Sequence, residues 1–274
     1  MDSALRTRAR RLDHILAEMP AAVVAFSGGV DSSYLADRAH AVLGPAALAV
    51  TAVSPSIARR ELDEARSLAA ARGWQHVVVG THEVSREEYA RNDPQRCYWC
   101  KTELYAVLGP MAADRGAGVL VGTNTDDLTD HRPGHRAAEE RGVRAPFVEA
   151  GISKSDVRAL SAEVGLPTAD KPAAPCLASR FAYGVRVTPE GLRRVERAEE
   201  IVRSFGFRVL RVRDHGDSAR IEVDPASIDR AIQLGEEITR PVRRLGYREV
   251  TIDPEGFRSG SMNEVLVAPT IRPR

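Results

Sequence analysis

Ala21-Ala22-Val23-Val24-Ala25-Phe26-Ser27-Gly28-Gly29-Val30-Asp31-Ser32-Ser33 decides how the rest of the chain is read. Six apolar residues run without polar alternation, as in a strand of a parallel sheet covered on both faces. A glycine turn and a helix start follow at once. Glycines there let the backbone approach an anion, and a helix N-terminus adds N–H donors and a favourable dipole. The lysine of a Walker A loop and the G-x-G-x-x-G spacing are both missing. Ser27, Gly28, Gly29, Asp31, Ser32 and Ser33 are therefore candidates for holding phosphate, with Asp31 and Ser32 also readable as helix caps.

Outward from this stretch, the pattern repeats. A helix over 3–18 precedes the strand and a helix over 32–42 follows it. Strands are expected at 47–53, 75–79 and 118–122, with a fifth at 143–148. Helices are expected from Ser56 to Arg72 and over 101–115, the latter interrupted at Gly109-Pro110. Short apolar strands alternating with helices predict an α/β fold, a parallel sheet with helices on both faces. Such sheets bind ligands beyond the carboxyl ends of their strands. After about Tyr183 the texture changes. A helix from Thr188 to Phe205, strands at 207–212 and 219–223, a helix over 226–245 and a strand at 247–252 predict a small C-terminal α+β domain. The expected division is 1–183 and 184–274, with a loose tail over 268–274.

The 274 residues carry 39 Lys+Arg against 38 Asp+Glu, a net charge of +1, and the two expected domains are near neutral at −1 and +2. That balance speaks against a nucleic-acid binder. Only Lys101, Lys154 and Lys171 are lysines, against 36 arginines. A compact ammonium kept under such a bias marks sites that a planar fork would not serve. No apolar run approaches the ~20 residues of a membrane span, and a cytoplasmic location is expected.

Three cysteines make no disulfide framework. Cys97-Tyr98-Trp99-Cys100 reads as a metal or redox pair, with His131 and His135 as conceivable partners in a zinc site. Cys176 lies in Asp170-Lys171-Pro172-Ala173-Ala174-Pro175-Cys176-Leu177-Ala178-Ser179-Arg180, where Lys171 and Arg180 would favour the thiolate. Asp126, Asp127 and Asp130 cluster after the fourth strand, as Mg²⁺ ligands, as caps of the next turn or as solvated surface charges. Ser153 and Asp156 form a capping box. Lys154, just inside that helix, and Lys101, expected to start the helix after Cys100, read as phosphate ligands because a cation there opposes the helix dipole unless an anion is docked. Arg211 and Arg213, two apart on a strand, share one face.

The loop S-G-G-V-D-S-S resembles that of the PP-loop ATP pyrophosphatases. With RCYWCK, GTNTDDLTDHRPG, DKPAAPCLASRFAYG and the αββαβ tail, the chain resembles the LarE-type ATP-dependent sulfur transferases over about residues 5–265. The resemblance implies cleavage of ATP to AMP and pyrophosphate, with loop 27–33 on the pyrophosphate and Asp31 and Asp127 near Mg²⁺. Thr51, Ala52, Val53, Gly122, Thr123, Asn124 and Lys154 would flank the nucleotide. It implies a pyridinium-3,5-biscarboxylate mononucleotide as substrate, whose carboxylates are adenylated and turned into thiocarboxylates in nickel-pincer cofactor synthesis. Ser179, Arg211 and Arg213 would bind the substrate phosphate, with Arg180 near the reactive sulfur. Glu199 or Glu200 would act as acid/base or metal ligand, and Lys101 and Cys176 join the catalytic set.

Within the resembled family, some members sacrifice the sulfur of a single cysteine, and others hold a [4Fe–4S] cluster on three. Cys97, Cys100 and Cys176 match the second type, whose open iron would carry a sulfide from an exogenous donor. A sacrificial Cys176 and a three-cysteine tRNA thiolase stand as alternatives. The C-terminal domain is expected to bind substrate and to build a homo-oligomer.

Overall fold

The computed structural model describes residues 3–129 and 133–258, so Asp130, His131 and the expected 268–274 tail lie outside the described residues. The chain separates into two compact units: Met1–Tyr89 with Pro94–Ala174, and Ala90–Asp93 with everything from Pro175 onward.

Along the chain through the first unit the elements run α1 Ser3–Ala17, β1 Ala22–Ala25, α2 Val30–Leu43, β2 Ala47–Val53, α3 Arg59–Ala71, β3 His76–Gly80, α4 Glu87–Ala90 (its last residue already in the second unit), α5 Arg96–Ala113, β4 Gly118–Leu120, α6 Pro133–Glu139, α7 Pro146–Ala150 and α8 Lys154–Glu163. The four strands are parallel in the order β3-β2-β1-β4. Successive β1 residues point to opposite faces. Ala22 and Val24 pack with Leu12, Leu35, Leu68 and Phe147, whereas Val23 packs with Leu48, Val50 and Leu108. Both faces of the strand are therefore dry, which explains its unalternating sequence. Chain order reverses between β1 and β4. Adjacent loops leave the sheet in opposite directions at such a switch point and open a crevice there.

The second unit holds α9 Pro189–Ser204, β5 Leu210–Asp214, β6 Ser218–Val223, α10 Ile228–Gln233, α11 Gly235–Arg243 and β7 Glu249–Ile252. β5 pairs antiparallel with β6, and β6 parallel with β7. The core is the inner face of this sheet, Leu210, Val212, Ala219, Ile221 and Val223, closed by Ala198 and Val202 of α9 and Ile238 and Val242 of α11.

The expected fifth strand at 143–148 is absent. Arg144 alone bridges to Leu120, and Pro146 then opens α7, because a proline with no N–H to give suits the first helical turn. The expected break at Gly109-Pro110 is absent too, since α5 runs through Pro110. The long helix over 226–245 is divided into α10 and α11 at Leu234. Among the described residues no helix is long and apolar enough to cross a membrane.

Candidate functional site

Loop 27–29 joins the carboxyl end of β1 to α2, and its conformation is enforced from two sides. Gly28 adopts φ +73°, and a Cβ there would also meet Ala65 Cβ of α3 at 3.1 Å. Ser32 Oγ turns back into the loop, accepting from Ser27 N–H (3.1 Å) and donating to the Gly29 carbonyl (3.2 Å). No side chain caps α2, so its first N–H groups face the loop without a side-chain acceptor. Ser33 Oγ is fully buried and has no hydrogen-bond partner.

The loop after β4 closes on the same point. Asn124, buried, donates from Nδ2 to Asp31 Oδ1 (3.2 Å). The Lys154 ammonium forms an ion pair with the other Asp31 oxygen. Asp127 Oδ2 accepts from Asn124 N–H (3.1 Å), and Asp126 Oδ2 accepts from Lys154 N–H (3.2 Å). The capping box that starts α8 is complete: Ser153 Oγ accepts from Asp156 N–H, and Asp156 Oδ2 from Ser153 N–H. Burial raises the Asp156 carboxyl, but hydrogen bonds from Ser153 and Arg8 outweigh it and hold the group below the usual range. Asp31, Asn124, Asp126, Asp127 and Lys154 thus come together at the switch point.

Other expected residues sit differently. The buried Thr51 hydroxyl donates to the Phe26 carbonyl (2.8 Å), so its 2.8 Å contact with His76 Nε2 requires the imidazole to donate. The Thr51 hydroxyl is thus committed within the protein, and half-buried Ala52 and Val53 follow it in the ladder with β3. Half-buried Thr123 and Gly122 border the loop. Lys101 does not start its helix. α5 begins at Arg96, so both cysteines of the pair lie within its first two turns and Lys101 follows them.

Cys97 is exposed and Cys100 half-buried, three residues apart on one helix and hence on one face. None of the three cysteines is in a disulfide. Among the described residues no group of three or more His, Cys, Asp and Glu is placed to hold a metal.

In the second unit, half-buried Cys176 caps the short 3-10 turn Leu177–Arg180. Arg180 braces this turn, donating to the carbonyls of Pro175 (2.5 Å) and Cys176 (3.2 Å) and to Ser179 Oγ (3.0 Å). Its other nitrogens make a bidentate pair with buried Glu199 at 2.8 and 3.2 Å. Glu200, one residue on, is exposed, so only Glu199 belongs to this cluster. Lys171 likewise gives its charge to carboxylates, Glu61 and Glu64. The two cations expected to favour a Cys176 thiolate are therefore already paired.

Arg213 is buried, bound to Glu222 (2.8 Å) and to the Ser179 carbonyl (3.2 Å). Arg211 differs. Burial, and then the positive charges of Arg180, Arg213 and Arg203, push its guanidinium down to about 10 against the partial relief of Glu199. Its guanidinium donates to the Leu210 carbonyl (2.7 Å) and lies 5.0 Å from the centre of the Phe257 ring.

Sequence reasoning missed Asn92. It is fully buried at φ +56°, the one described non-glycine residue with positive φ. Its amide donates to the carbonyls of Ala182 (2.8 Å) and Val185 (3.0 Å), while its own carbonyl accepts from Gly184 N–H (3.2 Å). The stretch 181–185 follows the Cys176 turn directly. Glu222 was also missed: alternation places it on the face opposite Ile221 and Val223, where a glutamate reads as solvated, yet it is buried against Arg213.

No protein-family profile matches the chain. Its sequence is 38% identical to the pyridinium-3,5-bisthiocarboxylic acid mononucleotide synthase of Lactiplantibacillus plantarum, over 96% of each chain. The chain belongs to the LarE family. It is also 44% identical to an uncharacterised protein of Synechocystis, over 96% of this chain and 99% of that one. Across 55% of this chain and 48% of the relative, it is 35% identical to a tRNA-specific 2-thiouridylase of Azorhizobium caulinodans. That partial match agrees with the PP-loop fold of a LarE-family protein, and the match to the synthase spans both units.

Proposed function

We propose that the chain is an ATP-dependent sulfur transferase that converts pyridinium-3,5-biscarboxylic acid mononucleotide to its bisthiocarboxylate, the product named for its Lactiplantibacillus relative. The near full-length likeness to that synthase carries the reading. The anion-ready loop 27–33 beside Asp31, Asn124 and Lys154 supports the ATP half, and Arg211 among its cationic neighbours supports the substrate half.

The chemistry has two displacements. A substrate carboxylate oxygen attacks the α-phosphorus of ATP, the bond to the β-phosphate bridging oxygen breaks, and pyrophosphate leaves with the electron pair. Backbone N–H groups of loop 27–33 and the Lys154 ammonium stabilise that leaving group. Asp31 and Asp127 would hold Mg²⁺. A sulfur nucleophile then adds to the acyl carbon, the C–O bond to AMP breaks, and the thiocarboxylate remains. The second carboxylate follows the same course. Arg211, with Arg213 and Ser179, binds the substrate phosphate, and Arg180 on Glu199 fixes the turn that carries Cys176. Cys97, Cys100 and Cys176 have the donor chemistry of a three-thiolate [4Fe–4S] set, and such a group, when bound, supplies an open iron for sulfide.

Anaerobic purification followed by iron and sulfide analysis tests the sulfur route, read with the mass of the Cys176 peptide after turnover. Iron bound through all three cysteines and an intact Cys176 are expected. Loss of H₂S at Cys176, leaving dehydroalanine, would replace that route with the sacrificial one.

A further inference from the structure

We propose that Lys171 is a positioning residue for the phosphate loop, setting the Gly28–Gly29 peptide so that its N–H faces the bound pyrophosphate. The proposal rests on the reading of loop 27–33 as the phosphate site and adds a residue from a distant segment to it.

The Lys171 ammonium is mostly buried, with its side chain 15% exposed, and meets three oxygens. It lies 3.1 Å from the Gly28 carbonyl, 2.6 Å from Glu61 Oε2 and 2.8 Å from Glu64 Oε2. An ammonium has three N–H donors, and here each has its own acceptor. A guanidinium cannot direct three bonds from one atom, which accounts for a lysine at this place in so arginine-rich a chain.

The consequence for the loop follows from peptide geometry. In a trans peptide the C=O and the N–H point in opposite directions. No described peptide bond is cis. With the Gly28 carbonyl tied to Lys171 against α3, the Gly29 N–H is directed away from α3. Gly28 lies close enough to α3 that a Cβ there would meet Ala65 Cβ at 3.1 Å. A flip of this peptide would leave Lys171 without its backbone acceptor and turn a carbonyl dipole toward the anion.

Lys171 is itself held in place. Arg158 of α8 donates to the carbonyls of Ala169 (2.5 Å) and Lys171 (3.1 Å). One turn earlier the same helix carries Lys154, paired with Asp31. α8 therefore sets both lysines that reach the loop, one at a side chain and one at a backbone carbonyl. Lys171 also lies five residues before Cys176 along the chain.

The test is calorimetric binding of inorganic pyrophosphate and of AMP, each with Mg²⁺, to wild type, Lys171→Met and Glu64→Gln. Lys171→Met is expected to weaken pyrophosphate by about tenfold or more, as for a lost bond to a charged group, and to leave AMP unchanged. Glu64→Gln, which keeps the ammonium on Gly28, should change pyrophosphate by no more than about twofold. Unchanged pyrophosphate binding in Lys171→Met overturns the proposal. So does equal weakening of pyrophosphate and AMP, or a loss in Glu64→Gln as large as in Lys171→Met. If Lys171→Met does not fold, Lys171→Arg is read by the same criteria. A wild type that binds no pyrophosphate instead refutes the phosphate-loop reading on which the proposal stands.

Discussion

Gly122 and Asp31 approach so closely that a Cβ on Gly122 would lie 2.9 Å from the Asp31 carbonyl carbon and 3.0 Å from its Cβ. The end of β4 and the start of α2 meet backbone to backbone, and neither can yield as a side-chain tip could. Gly122→Ala must therefore displace Asp31 from Asn124 and Lys154. Pyrophosphate release in the presence of substrate should fall at least tenfold, about the loss of one well-placed charged hydrogen bond. Steady-state assay checks this, and wild-type rates would mean that the two loops need not touch.

Asp31 joins two elements by accepting from Asn124 and pairing with Lys154. Asp31→Ala should abolish substrate-dependent pyrophosphate release, by about a hundredfold or more if the carboxylate serves the metal and the lysine together. The pair is part-exposed, at 25% and 35%. Such a site yields little stability, so the unfolding midpoint should barely move. Loss of folding along with activity would give Asp31 a structural role instead.

Arg211 is a half-buried cation near the positive charges of Arg180, Arg213 and Arg203, whose repulsion its removal relieves. Arg211→Met should unfold at the same or a higher temperature than wild type without ligand. It should also lose the stabilisation that a pyridinium or nicotinate mononucleotide confers on wild type. Thermal shift with and without nucleotide measures both, and a variant still stabilised by nucleotide would move the phosphate site elsewhere.

What the sequence made legible was whatever depends on local pattern. The dry strand β1, the glycine turn and the capping box at Ser153 and Asp156 each leave a mark within a few residues. Residues 143–148 misled because a short apolar run suits a buried strand and a buried helix equally, and Pro146 settled it as helix. Lys101 misled because the capping signals of α5 are weak, and its start five residues earlier is written in no single residue. Asn92 left no mark at all. Its work is done on carbonyls some 90 positions away, and a left-handed asparagine outside a turn motif has no sequence signature.

Asn92 offers a graded stability test. Asn92→Gly keeps the positive φ and loses the amide bonds, whereas Asn92→Ala loses both. Asn92→Asp presents a carboxylate to the Ala182 and Val185 carbonyls. Glycine should cost least, and alanine about 3 kcal/mol from two stranded carbonyls and a strained backbone. Denaturant unfolding gives the order, and equal losses for glycine and alanine would remove the strain from the account.

Burial, the largest cause, lowers half-buried His76, and the charges of Arg66 and His40 add to the effect. A base whose folded value lies below its unfolded one stabilises fully above the unfolded value, near 6.5, and loses that contribution as the pH falls toward the folded one. The unfolding midpoint should drop on acidification below about pH 6.5, and less steeply in a His76→Gln variant. An unchanged slope would assign the acid sensitivity to other groups.

The central claim is that ATP cleavage drives sulfur into a carboxylate, and one measurement addresses it directly. The protein, reconstituted anaerobically with iron and sulfide, is given pyridinium-3,5-biscarboxylic acid mononucleotide, Mg²⁺, ATP and a sulfide source, and the nucleotide product is weighed by mass spectrometry alongside AMP and pyrophosphate. Each thiocarboxylate formed should appear with one AMP and one pyrophosphate. Formation of ADP and phosphate, or AMP released with no sulfur in the product, would contradict the account.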